Sequence, residues 1–207
     1  KYILKEFQSK YSKEDVKREI EAIRYLQKNS SIPLPEFIQC KDKEFYFIHK
    51  GKTVFLQRFI DGHTCKKNEG NHEQLIESAQ YLGRIVKGLE GFKTEQNVTI
   101  QDWYSKNEFE KANKKYDLIL NNNDNSELGK KIKDDILFKK ALLQKISNTI
   151  NITELDKITC KVSHGDYNCL QFIYDENNKI KAILDFIKTK KLPIVWEIAR
   201  SYSYIDS

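Results

Sequence analysis

Apolar and polar positions alternate over residues 2 to 7 (Y-I-L-K-E-F), the period of a strand, and the period then lengthens. In S-K-E-D-V-K-R-E-I-E-A-I-R-Y-L-Q-K, Val16, Ile20, Ile23 and Leu26 recur at helical spacing behind a serine cap signal and a first turn rich in acids. The pattern predicts a strand leading into an amphipathic helix. Prolines in S-I-P-L-P-E-F end that helix, and two strand-like runs follow, E-F-Y-F-I-H-K and K-T-V-F-L-Q-R-F-I, joined at Lys50-Gly51-Lys52. Asp61-Gly62-His63-Thr64 is a break. From Glu73 the period is helical, with Leu75, Ile76, Ala79, Leu82, Ile85, Val86 and Leu89 on one face. Further helices are predicted at about 102 to 120 and 127 to 148, with N-N-N-D-N at 121 to 125 as the loop between them. The predicted division is a small α+β lobe over residues 1 to 61 and a mainly helical lobe over 62 to 207.

Near the end of the helical part stands S-H-G-D-Y-N-C-L-Q-F-I-Y-D-E-N-N-K-I-K-A-I-L-D-F, residues 163 to 186. F-I-Y and K-I-K-A-I-L are short strand-like runs around a cluster of turn formers, which reads as a β-hairpin. A hairpin brings its outer ends together, so Asp166 and Asp185 become neighbours. Two carboxylates at close range repel unless a cation lies between them, and the pair points to a divalent metal site.

Composition narrows the classes. The 207 residues and 39% hydrophobic content support a globular core. The net charge of +6 comes mainly from lysines in short runs interrupted by acids, while the five arginines stand at separate places. This describes a solvated surface rather than a nucleic-acid interface. Cys40, Cys65, Cys160 and Cys169 form no C-x-x-C pair and fit reduced thiols in a cytoplasmic protein. No apolar run has the length of a membrane span, and no signal peptide is visible. The chain opens without Met inside a predicted strand and stops within a helical pattern, so a longer parent chain with an earlier start to its small lobe is expected. His49, His63 and His72 lack partners at metal-ligand spacing, and Phe186 and Ile187 read as core.

Lys5 on the first strand and Glu19 on the first helix are candidates for an ion pair that aims a lysine at phosphates. Taken singly, Lys5 is one of thirty-one lysines. Its weight comes from the order in which the elements follow: strand Lys, helix Glu, hairpin, linker, helices, then H-G-D, a hairpin and a second Asp. That order, with H-G-D-Y-N-x-x-Q, I-L-D-F and P-I-V-W-E-I-A-R-S-Y, resembles the aminoglycoside phosphotransferase and choline kinase family, including its spore-coat and homoserine-kinase-type members. The resemblance runs from about Tyr2 to the end of the chain and is most specific between Val162 and Tyr202.

The resemblance implies a protein-kinase-like two-lobed α+β fold and a small-molecule kinase using ATP or GTP with Mg2+. Asp166 would orient the acceptor hydroxyl and take its proton, and His164 would order the loop around it. Asp185 would be the main metal ligand. Lys5 would contact the nucleotide phosphates with Glu19 as its partner, Glu21 being the rival on the same helix. The backbone of Gln57, Arg58, Phe59 and Ile60 would hold the adenine edge. Where the family usually has Asn as a further metal ligand, this chain has Gln171, which offers the same amide oxygen one methylene further out. The family's glycine-rich phosphate loop is missing, in keeping with an earlier start. Glu197 stands where the family often has Asp and reads as an anchor at a helix start. The expected partners are a nucleotide and a small hydroxyl-bearing acceptor, with no nucleic acid and no membrane. A polycationic acceptor would need acids, expected in the helices around 102 to 135 or beyond Ser207. Gln171 and the missing loop motivate an alternative, a catalytically weakened kinase-like nucleotide-binding protein; the lysine excess alone motivates a third, a nucleic-acid-binding module.

Overall fold

The computed structural model describes residues 1–66, 69–98, 106–155 and 157–205. The chain forms two compact units, Lys1–Val98 with Thr159–Ser207, and Thr99–Ile158.

In the first unit, β1 (Tyr2–Glu6) lies antiparallel to β3 (Lys52–Arg58), which also pairs with β2 (Phe47–His49), giving the order β1-β3-β2. Helix α1 (Lys13–Asn29) starts in a capping box: the Ser12 hydroxyl accepts from the Asp15 amide while the Asp15 carboxylate accepts from the Ser12 amide. The periodic residues Val16, Ile20, Ile23 and Leu26 are all buried, as the pattern predicts. They join Phe37, Phe55, Leu82, Ile85, Phe172 and Phe186 in one core. The strand expected over 44 to 50 shrinks to the three residues of β2, every one exposed. An outer strand bonded on one side, with no buried face, has little to extend it.

Helix α2 (His72–Gly88) opens on a second capping box, made by Asn71 and Gln74. The predicted hairpin forms from β5 (Phe172–Tyr174) and β6 (Ile180–Ile183). Its turn is held by Asp175, whose carboxylate accepts from the Asn177 and Lys179 amides. A second antiparallel pair, β4 (Cys160–Ser163) with β7 (Lys190–Pro193), flanks it in sequence, and α6 (Ile194–Ile205) follows. The segment after β3 is stitched to the hairpin: His63 N donates to Tyr174 O at 3.0 Å and Tyr174 N to His63 O at 2.8 Å. A Cβ at Gly62 would overlap the Tyr174 carbonyl, so only glycine permits that approach.

The second unit holds α3 (Lys106–Asn121), α4 (Glu127–Thr149) and the short α5 (Ile152–Leu155). The first four residues of the helix expected at 102 to 120 lie outside the described residues. Helices α3 and α4 pack together, and Lys140 pairs with Asp117 across them. Lysines outnumber acids four to three in α3 and six to three in α4, so these helices carry a positive balance where a polycationic acceptor would want acids.

Candidate active site

Alternation along β1 turns Ile3 and Lys5 inward and leaves Tyr2, Leu4 and Glu6 exposed. The Lys5 ammonium lies 4.7 Å from the Phe7 ring centre and 5.5 Å from that of Phe55, and it reaches two carboxylates. Its Nζ is 3.3 Å from Glu19 Oε1 and 2.6 Å from Asp185 Oδ1. Glu19 falls in phase with the buried stripe of α1, while Glu21 is turned out and stands 3.8 Å from Lys17. The helix thus places Glu19, rather than Glu21, on Lys5. Burial pulls the Lys5 ammonium down, but the charges of Glu19 and Asp185 outweigh it and hold its pKa above the ordinary value. Burial pushes the Glu19 carboxyl up to about 7, with Lys5 opposing and the Asp185 charge adding to the rise. Glu19 Oε2 is buried without a hydrogen-bond partner among the described residues.

Asp185 itself has left-handed backbone, φ 65° and ψ 55°. For a residue other than glycine this costs on the order of 1 kcal/mol or more, and it persists where the surroundings over-determine it. Here the residues on both sides are held. Leu184 N donates to Gln171 O at 2.8 Å, and His164 Nε2 lies 2.8 Å from Leu184 O. The Phe186 ring is fully buried, 4.3 Å from the imidazole of His164. Arg18 of α1 donates to the carbonyls of Thr189 at 3.1 Å and Ile187 at 3.3 Å.

His164 is completely buried, and burial holds its pKa below the ordinary value. Its Nδ1 accepts from the Asp166 amide at 3.3 Å, so Nε2 carries the proton donated to Leu184 O, and the ring is the neutral Nε2–H tautomer. One imidazole therefore joins the loop bearing Asp166 to the strand end bearing Asp185. Glu197, in the first turn of α6, clamps the same loop from behind. Its Oε2 accepts from Ser163 Oγ at 2.7 Å and Gly165 N at 2.9 Å, and its Oε1 from Tyr167 N at 3.4 Å. Tyr167 is tied to α2 through its hydroxyl, which donates to Ser78 O at 2.8 Å. Gly165 has φ 83°, and a Cβ there would overlap the Lys188 carbonyl.

The like charges of the two aspartates are met by separate cations. Asp185 faces Lys5, whereas Asp166 is bound by Lys188, 2.7 Å from Oδ2, and by the guanidinium of Arg200 on Oδ1. Among the described residues no cluster of three or more His, Cys, Asp or Glu is placed to hold a metal. Asp185 and Gln171 nevertheless line one pocket of about 480 Å³ together with Lys5, Glu19, Gln57 and Leu184. Carboxylate and amide oxygens lining one space suit a hard ion that takes its remaining ligands from phosphates and water. The other linker residues do not line this pocket: Arg58 N donates to Glu36 O, Phe59 N to Lys1 O, and the Arg58 side chain pairs with Glu36 at 2.6 Å.

Lys188, Arg200 and Arg18 carry much of this arrangement and have no signal of their own in the sequence. Lys188 is one lysine of many, and Arg200 stands in the P-I-V-W-E-I-A-R-S-Y segment, where nothing in the sequence says which carboxylate it meets. The expected anchor at Glu197 is present, and its role extends to three groups of the neighbouring loop.

The model of the phosphotransferase enzyme family, APH, matches residues 1–207. No curated protein matches the chain. Among solved structures, an aminoglycoside phosphotransferase from Alicyclobacillus acidocaldarius is similar with a TM-score of 0.71 at 15% identity, over 96% of this chain and 61% of that one. Amicoumacin kinase hAmiN, in complex with AMP-PNP, Ca2+ and Ami, gives 0.60 at 16% identity, over 97% and 56%. APH(2")-IIia, in a complex with GDP and kanamycin, gives 0.66 at 13% identity, over 100% and 67%. The chain spans about three fifths of the length of the first two, and likeness at such identity is one of fold: kinase-like and α+β.

Proposed function

The chain belongs to the APH phosphotransferase enzyme family, and from that premise we propose that it transfers the terminal phosphoryl group of ATP or GTP to a hydroxyl of a small molecule. The observation that supports this reading most is the Lys5 ammonium held between Glu19 and Asp185 at the edge of a pocket that Gln171 also lines. A lysine so held is positioned against its own rotamer entropy, as a phosphate-binding cation must be.

Each side chain has a part in this reading. Lys5 binds the α- and β-phosphates, and Glu19 keeps it aimed. Gln57, with Arg58, Phe59 and Ile60 beyond it, borders the base. Asp185 and the Gln171 amide oxygen would hold a magnesium ion, which when bound neutralises charge on the phosphates. Asp166 orients the acceptor hydroxyl and takes its proton, while His164 and Glu197 fix the loop that carries it. Among the described residues Cys40, Cys65, Cys160 and Cys169 stand outside disulfides, in accord with a reducing, cytoplasmic setting, and no helix is long and apolar enough to cross a membrane.

The test is thermal unfolding with ATP and with GTP, each with and without Mg2+, joined to nucleoside diphosphate release against a panel of hydroxylated metabolites and antibiotics. Metal-dependent stabilisation with acceptor-dependent release is expected. Stabilisation without release by any acceptor would favour nucleotide binding without transfer, and neither response would refute the reading.

A further inference from the structure

Each oxygen of Asp166 is met by a cation. Oδ2 receives the Lys188 ammonium at 2.7 Å, and Oδ1 the Arg200 guanidinium. Each carboxylate oxygen keeps a further lone pair, but two charge-assisted bonds lower the basicity of Asp166, and release of one partner makes it the better acceptor for a hydroxyl proton. The two cations are not equally free to leave. Arg200 rises from α6, and its side chain is 24% exposed with Nε buried. The Lys188 side chain is 42% exposed on a flexible four-carbon stem.

The main chain of Lys188 cannot move with its side chain. Its carbonyl is pressed against Gly165 at the one spot where a Cβ would overlap it. On either side, Arg18 grips the carbonyls of Ile187 and Thr189. Lys188 is therefore a swinging ammonium on a fixed base, three residues beyond Asp185 and in contact with Asp166. That places it between the residue assigned to the nucleotide side and the residue assigned to the acceptor.

We propose that Lys188 is a catalytic residue that pairs with Asp166 in the empty site and passes to the terminal phosphoryl group when nucleotide is bound, freeing Asp166 to accept the hydroxyl proton. The inference rests on the phosphotransferase reading given above. In the step, the acceptor oxygen forms its bond to the terminal phosphorus, and the bond from that phosphorus to the bridging oxygen breaks. The nucleoside diphosphate leaves with the electron pair, and the hydroxyl proton passes to Asp166. Negative charge on the transferring oxygens is what draws the ammonium across. Its movement couples two events: Asp166 gains basicity when there is a phosphoryl group to transfer.

Calorimetric titration with Mg·AMP-PNP and Mg·ADP separates this role from a structural one, because only the first ligand carries the terminal group. Lys188→Met is expected to weaken Mg·AMP-PNP binding about 10- to 100-fold, the scale of one charge-assisted hydrogen bond, and to leave Mg·ADP unchanged. Lys188→Arg should retain most of the preference for Mg·AMP-PNP. Asp166→Asn removes the competitor for the ammonium, so it should tighten Mg·AMP-PNP alone, and the gain should vanish in the double variant with Lys188→Met. If Lys188→Met binds both nucleotides as the parent does, or weakens both equally, the inference is overturned while the phosphotransferase reading stands. If the parent binds neither nucleotide, that reading fails and takes the inference with it.

Discussion

The ammonium of Lys5 stands 2.6 Å from the carboxylate of Asp185, although the two residues are 180 positions apart. The same nitrogen is 3.3 Å from Glu19, so one cation ties the first strand, the first helix and the end of the hairpin together. Lys5→Met should therefore act twice. Nucleotide affinity falls for want of a phosphate contact, and the buried Glu19 loses its counter-charge, at a cost on the order of 1 to 3 kcal/mol. Titration with Mg·ADP and denaturant unfolding read the two effects separately. Unaltered nucleotide affinity in this variant would remove Lys5 from the phosphate site.

The two aspartates should separate by role. Asp185→Asn is expected to weaken metal–nucleotide binding and abolish transfer together. Asp166→Asn should leave Mg·ADP affinity intact while turnover falls roughly a hundredfold or more, the usual scale for loss of a positioned base. Wild-type turnover from the Asp166 variant, or wild-type metal-dependent binding by the Asp185 variant, would contradict these assignments.

Gln171 lines the pocket beside Asp185, and its carbonyl accepts from Leu184 N at 2.8 Å. Replacing it with Asn shortens the amide arm by one methylene while keeping its oxygen. Preserved or raised magnesium-dependent turnover is expected. A loss would show that the local backbone is fitted to the longer side chain.

Glu197 is fully buried and accepts from a hydroxyl and two backbone amides. Glu197→Ala leaves those donors without partners, which should destabilise the chain by about 3 kcal/mol or more. Chemical denaturation gives the value. Because the loop it holds carries Asp166, turnover should fall even at temperatures where the variant stays folded, and a fully active variant would show that the loop keeps its shape without the clamp.

The raised pKa of Glu19 has a definite sign in the pH dependence of stability. Its carboxyl moves from an ordinary 4.5 to about 7 on folding, so the folded chain binds the proton more tightly than the unfolded one. The resulting stability is fully present below about 4.5 and is lost as pH rises through about 7. Glu19→Gln cannot titrate. The advantage of the parent over this variant should therefore shrink by on the order of 3 kcal/mol between pH 5 and pH 8, followed by paired melting curves. His164 works in the opposite direction: its lowered pKa costs stability as pH falls below its ordinary 6.5, equally in both proteins, and it cancels in the difference. A constant gap across that range would mean that Glu19 stays ionised throughout.

Local pattern alone decided several elements. The Ser12 capping box, the stripe from Val16 to Leu26 and the turn formers at Asp175 to Asn178 act over a few residues, so helix α1 and the β5–β6 hairpin stand where periodicity puts them. The phase of that stripe also separates buried Glu19 from exposed Glu21, since both lie on one helix and only one angle faces the core. The H-G-D and I-L-D-F segments flank the β5–β6 hairpin, so the turn formers and strand period alone set Asp166 and Asp185 at its two ends.

Tertiary structure decided which charges meet. An ion pair depends on a separation of a few ångströms between residues far apart in sequence, and hydropathy carries no record of that distance. Lys188 and Arg200 reach Asp166 from 22 and 34 positions away, and Arg18 holds carbonyls 169 and 171 positions away. Among thirty-one lysines, the pattern along the chain does not distinguish the ammonium on Asp166 from one in water. Only the packing of α1 and α6 around the hairpin makes that choice, because it sets which side chains are close enough to replace the water each loses on burial.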